Sequence, residues 1–138
     1  MNENQLLGQT GEELAADYLM KNGFRILSRN WNLHRGCELD IVACKDGLLH
    51  FVEVKTRRKS WDTPGGHPEE AVGRSKLHNM GRAIVHYMAY YRLSQDYVID
   101  VIGIVYRSDS DYDLNFLGDV SLPRSSTYGT ARGRRSGR

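Results

Sequence analysis

No apolar run in the chain approaches the ~20 residues that a membrane-spanning helix requires, so a membrane role is set aside. The opening residues, MNENQLLGQTGEEL, carry acids where a secretory leader needs a basic stretch and then a long apolar run; a cytoplasmic location is expected. Cysteine is scarce. Cys37 and Cys44 are too few for a disulfide framework, and His34, His50, His67, His78 and His86 show no paired ligand spacing for zinc. No Ser/His/Asp catalytic motif and no internal repeat is visible. What remains is a chain of 138 residues, enough for one domain that buries roughly two thirds of its unfolded surface.

Charge is unevenly spread. Arg124, Arg132, Arg134, Arg135 and Arg138 fall within residues 123–138, which hold no acid, while the other 122 residues carry 14 basic and 17 acidic side chains. A basic tail thus follows a mildly acidic body. Rich in Gly, Ser and Arg, the tail cannot bury enough to offset the entropy of ordering, and the division expected is a domain at 1–122 and a disordered tail at 123–138. Such a tail either tracks phosphates or only aids solubility.

Residues 5–21 place Leu7, Gly11, Leu14, Ala15, Tyr18 and Leu19 on one side of a helix that Asn22-Gly23 stops. Three strand-like segments follow, FRILSRNWNL, CELDIVACK and LLHFVEVKTR, the last two joined across Asp46-Gly47. A loop with Pro64-Gly65-Gly66 leads to Pro68, expected to open a second helix that has Glu69 and Glu70 in its first turn and runs to about Arg92. YVIDVIGIVY reads as a strand buried on both faces, and YDLNFLG as an edge strand. The order is αβββαβ with a further terminal strand: an α/β fold with a mixed central sheet flanked by helices.

The hairpin brings the chemistry together. A two-residue Asp46-Gly47 turn pairs Lys45 with Leu48, which carries Asp40 opposite Glu53 and Glu38 opposite Lys55. Period-two alternation then puts these four on one face and Leu39, Ile41, Val52 and Val54 on the other. Opposed carboxylates about 5 Å apart at Cβ repel unless a cation lies between them, and hard oxygens beside an ammonium suit Mg²⁺ or Mn²⁺. The plainer alternative is a solvated face with a Glu38–Lys55 ion pair. On the helices, Glu12 borders the first apolar stripe whereas Glu13 faces water. Lys76 falls within the second stripe, with Val72, Met80, Ala83, Ile84, Tyr87 and Tyr91, while Arg74, His78 and Arg82 lie outside it. Stabilisation of the helix dipole by Glu12 and snorkelling by Lys76 are the structural alternatives. Cys37 reads as a small core residue, and Asp100 as a buried acid needing structural partners. Tyr87, Tyr90 and Tyr91, at helical spacing, read as core packing before base stacking.

Gly11-Glu12-x-x-Ala15-x-x-Tyr18-Leu19, Gly23, Asn30, Glu38-x-Asp40-x-Val42, the run Phe51 to Arg57, Glu70-Ala71-Val72 and Lys76 together resemble the YraN family of bacterial proteins. That family is similar to archaeal Holliday junction resolvases and to the restriction-endonuclease-like PD-(D/E)xK nucleases. The resemblance covers residues 8 to about 105. It implies that Asp40 and Glu53 are metal ligands for Mg²⁺ or Mn²⁺, Lys55 the catalytic lysine and Glu12 the helix-borne acid that completes the site. Cys37 departs from it, standing after Gly36 where the family usually has glycine. The expected fold is restriction-endonuclease-like, and the expected activity is metal-dependent hydrolysis of DNA phosphodiester bonds, on branched or structured DNA. Arg57, Lys76, Arg132, Arg134 and Arg135 are the residues expected on phosphates. Resolvases act in pairs and twofold symmetry is common, which points to a homodimer. The rival reading is a nucleic-acid-binding module, or a scaffold for DNA-processing partners, that kept the fold without useful turnover. An Mg²⁺-dependent cleavage assay separates the two.

Overall fold

The computed structural model describes residues 3–59 and 73–120, with side chains from residue 11 onward. The Leu7 side chain, the Pro64-Gly65-Gly66 loop, Pro68, Glu69, Glu70, Val72, the boundary at 122 and the tail with Arg132, Arg134 and Arg135 lie outside the described residues. Among the described residues seven elements follow one another: α1 (Glu3–Lys21), β1 (Arg25–His34), β2 (Cys37–Lys45), β3 (Leu48–Arg58), α2 (Arg74–Tyr90), β4 (Tyr97–Ser108) and β5 (Asp111–Leu117). They form a mixed α/β fold with one sheet in the order β1-β2-β3-β4-β5, in which only β3 and β4 pair in parallel. No helix among the described residues is long and apolar enough to cross a membrane.

The β2–β3 turn takes the form its residues favour. Asp46 and Gly47 both have positive φ, 52° and 81°, the pattern of a type I′ turn whose twist matches that of the strands it joins. Lys45 therefore faces Leu48, and the ladder runs from there to Ile41 opposite Val52. Beyond that pair it opens. The Val54 N–H donates to Asp40 Oδ2 at 2.9 Å, so the side chain takes a bond that a strand carbonyl would otherwise accept.

Among the described residues each face of the sheet carries one helix. On one side Ala15, Ala16 and Leu19 of α1 pack on Ile41, Ala43, Val52, Ile102, Ile104 and Tyr106. On the other, Leu77, Met80, Ala83, Ile84 and Tyr87 of α2 pack on Leu39, Val42, Leu49, Phe51 and Ile99, and Cys37 joins them as a buried core residue. Leu39 and Ile41 thus lie on opposite faces, which corrects the alternation expected through this strand. β1 changes phase at the same level: Ser28 hydrogen-bonds the Tyr87 hydroxyl at 2.8 Å and Trp31 stacks edge-on against the same ring, although an odd step of three positions would put them on opposite faces of a regular strand. The cause is Asn30, which has φ 53° and sits across from Asp40 between the pairs Arg29–Ile41 and Trp31–Leu39. A residue in the left-handed region turns the strand, and asparagine tolerates that conformation better than most.

Two more expectations need correction. α2 begins at Arg74, capped by Gly73 in extended conformation, so a helix running unbroken from Pro68 does not form. Tyr87 is buried as expected, but Tyr90 and Tyr91 are exposed. Tyr90 falls at the border of the apolar stripe, and Tyr91 is the C-cap, after which Arg92 (φ 54°) carries the chain away. Asp100 is buried and structurally satisfied: His50 Nδ1 lies 2.6 Å from Oδ2, and the Asp119 N–H donates to Oδ1 at 2.9 Å.

α1 approaches β3 closely because residue 11 has no side chain. A Cβ there would stand 2.2 Å from Thr56 Cγ2, far inside contact distance. Gly11→Ala gains up to ~1 kcal/mol of helix propensity but overpacks at a cost of ~1–3 kcal/mol, so its melting temperature should fall. Thr56→Ser in the same chain, which removes the offending methyl, should restore most of the loss. Equal melting of Gly11→Ala and the parent would show that the helix does not depend on this contact.

Candidate active site

The fork where β2 leaves β3 gathers charged side chains from both helices. Alternation along β3 puts Phe51 and Glu53 toward α2, and Val52 and Val54 toward α1. Glu53 is buried, only 4% exposed, a costly place for a carboxylate. Its Oε2 receives two ammoniums: Lys76 Nζ from α2 at 3.3 Å and Lys55 Nζ from two residues along the strand at 3.9 Å. Lys76 therefore reaches over the sheet, as its place in the apolar stripe implied, and its partner is the central carboxylate.

Asp40 adjoins Glu53 and influences Glu12 as well. Burial and the neighbouring Asp40, through charge repulsion and a carboxyl–carboxyl hydrogen bond, push Glu53 up to about 8; Lys76 pulls the other way and is outweighed. Glu12 is also raised, by burial first and the Asp40 charge second, with Asn30 and Arg29 opposing the shift. With its amide nitrogen turned toward α1, Asn30 donates to both Glu12 oxygens, at 2.8 and 2.9 Å. Asn30 is the residue whose role the sequence reading missed. It was part of the family pattern but had no chemistry attached, since its contact is with a residue 18 positions earlier that only folding brings near.

The expected Glu38–Lys55 pairing does not form. The ladder has opened before it reaches them, and the exposed Glu38 faces Asn32 on β1. Glu13 is exposed and turned from the site, as expected. Arg57, half-buried, follows Lys55 on the same side of β3. Arg74 and Lys76 stand in the first turn of α2, which holds no acid. The cluster therefore has an acidic centre, Glu12, Asp40 and Glu53, and a basic border.

Comparison with known proteins places this arrangement in a family. Residues 11–104 match the model of the uncharacterised protein family UPF0102. The chain is 39% identical over 119 residues to a UPF0102 protein of Clostridium perfringens, covering 85% of this chain and 94% of that one. It is 46% identical over 103 residues to one from Syntrophomonas wolfei, covering 74% and 86%, and 41% identical over 110 residues to one from Trichlorobacter lovleyi, covering 78% and 84%. This is the family to which the YraN resemblance pointed. The chain belongs to the UPF0102 family, and Glu12, Asp40, Glu53, Lys55 and Lys76 all fall within the matched region.

Proposed function

We propose that the protein is a metal-dependent nuclease that hydrolyses DNA phosphodiester bonds on a restriction-endonuclease-like, PD-(D/E)xK framework. The observation that carries this reading is the pairing of Asp40 with a buried Glu53 at the fork of β2 and β3, beside Lys55 and Lys76. Carboxylates forced together so that one holds its proton to about 8 form a site short of positive charge.

A hard divalent cation fits that deficit. Among the described residues no ready-made set of three or more His, Cys, Asp or Glu ligands surrounds a point, but Mg²⁺ needs only one or two carboxylates, completing its shell with water and phosphate oxygens. Asp40 and Glu53 would hold it, and Glu12, steadied by Asn30, would support its waters. Bound there, Mg²⁺ or Mn²⁺ supplies Lewis acidity at the scissile phosphate. Lys55 orients the attacking water and stabilises the charge that develops on phosphorus oxygens. Arg57, Lys76 and the α2 N-terminus present positive charge to the flanking phosphates, which carry most of the affinity of proteins for DNA.

Cleavage of duplex, single-stranded, flapped and four-way-junction DNA with and without Mg²⁺ tests the reading. Failure on every substrate would favour a DNA-binding module that keeps the fold without turnover. Metal binding has its own test. Saturating Mn²⁺ at 100 times its dissociation constant should stabilise the parent by ~2.7 kcal/mol, a shift of several degrees, and Asp40→Ala should lose that increment. An equal shift in both would remove Asp40 from the ligands.

A further inference from the structure

Resting on the nuclease reading, we propose that Lys76 is the cation the ionised Glu53 carries before a metal arrives, and that metal entry transfers its ammonium to a DNA phosphate, making metal and DNA bind cooperatively. Lys76 Nζ is the nearer of the two ammoniums on Glu53 Oε2, 3.3 Å against 3.9 Å for Lys55. Glu53 is its only ion-pair partner among the described residues. The two groups differ in freedom. The Glu53 side chain is 5% exposed and rooted in a strand that is paired there with Val101 of β4, whereas the Lys76 side chain is 36% exposed at the start of a helix.

A divalent ion held by Glu53 would repel the ammonium beside it, and the group able to leave is the lysine. Its flexible stem ends in a compact charge with three donors, suited to a phosphate oxygen. Two consequences follow. Before DNA arrives, Lys76 competes with the metal and weakens its binding. Once the metal is seated, the released ammonium adds to the attraction for DNA, and by linkage DNA raises metal affinity by the same factor. Lys55 does not substitute for it, being farther from Oε2 and directed to the attacking water.

The test compares the full chain with Lys76→Met, which keeps length without charge, and Lys76→Arg, which keeps charge. Mn²⁺ binding is measured calorimetrically without DNA at pH 8.5, and binding of a labelled DNA duplex is measured with and without Ca²⁺, used to limit turnover. Lys76→Met should bind Mn²⁺ roughly tenfold more tightly than the parent, Lys76→Arg within about threefold of it. Ca²⁺ should tighten DNA binding by the parent several-fold and by Lys76→Met less than twofold. Unchanged or weaker Mn²⁺ binding by Lys76→Met, or an undiminished Ca²⁺ effect on its DNA binding, would overturn the proposal while leaving the metal site intact. A parent chain that binds no Mn²⁺ would overturn the nuclease reading, and this proposal with it.

Discussion

Lys55→Ala should reduce Mg²⁺-dependent DNA cleavage by ~10²-fold or more while leaving Mn²⁺ affinity within about threefold of the parent. The asymmetry follows from geometry. Lys55 Nζ lies 3.9 Å from Glu53 Oε2, the longer of the two ion pairs there, and its side chain is 39% exposed, so it contributes little to holding the carboxylate in place. Its charge is instead available where the water attacks and where negative charge accumulates, in a site whose buried wall strengthens electrostatic effects. Single-turnover cleavage gives the rate, and calorimetry without DNA gives the metal affinity. Turnover retained within threefold would remove Lys55 from the chemistry. Loss of metal binding to the same degree would make it part of the ligand scaffold instead.

Glu53→Gln should stabilise the metal-free protein at pH 8, although it alters the centre of the site. Glu53 has its carboxyl pushed to about 8 from an ordinary 4.5. Between those values the folded protein keeps a proton that the unfolded chain has released, so stability falls as pH rises through that window and the full cost is present above it. The metal-free parent should therefore melt at progressively lower temperature from pH 5 to pH 8. A glutamine, with nothing to ionise, should flatten that slope and at pH 8 melt roughly 5 °C or more above the parent. Saturating Mg²⁺ should raise the parent at pH 8 and leave Glu53→Gln nearly unmoved. A parent that melts at one temperature across this range, or a glutamine variant less stable at pH 8, would mean that Glu53 ionises at little cost.

The hairpin was legible because its determinants are local. Asp46-Gly47 set the turn, the turn set the register, and the register brought Asp40 to Glu53 from thirteen positions away. Periodicity likewise turned Glu12 inward, left Glu13 outside and directed Lys76 at the sheet. Reading failed where a long-range contact overrides the repeat. The phase change at Asn30 and Asp40 depends on α1 supplying Glu12 and on β3 supplying the Val54 N–H, and neither is encoded beside the residues it alters. The Glu38–Lys55 pairing failed for the same reason, because it extended a regular ladder past the point where Asp40 opens it.

The turn in β1 at Asn30 also bears on how copies of the protein coexist at high concentration. β1 lies at the edge of the sheet, and an edge strand offers unpaired backbone groups along which a neighbouring chain can add itself, the first step toward fibrils. A left-handed residue at Asn30, between register shifts at Ile26/Ser28 and Asn32/His34, leaves no long straight stretch for such growth. At the opposite edge β5 spans only seven residues, and its Asp111 and Asp113 are ion-paired with Arg107 of β4, which leaves a short, charged edge that suits pairing with another strand poorly. The irregularity that sets Asn30 across from Asp40 thus also makes β1 a poor template for edge-to-edge growth.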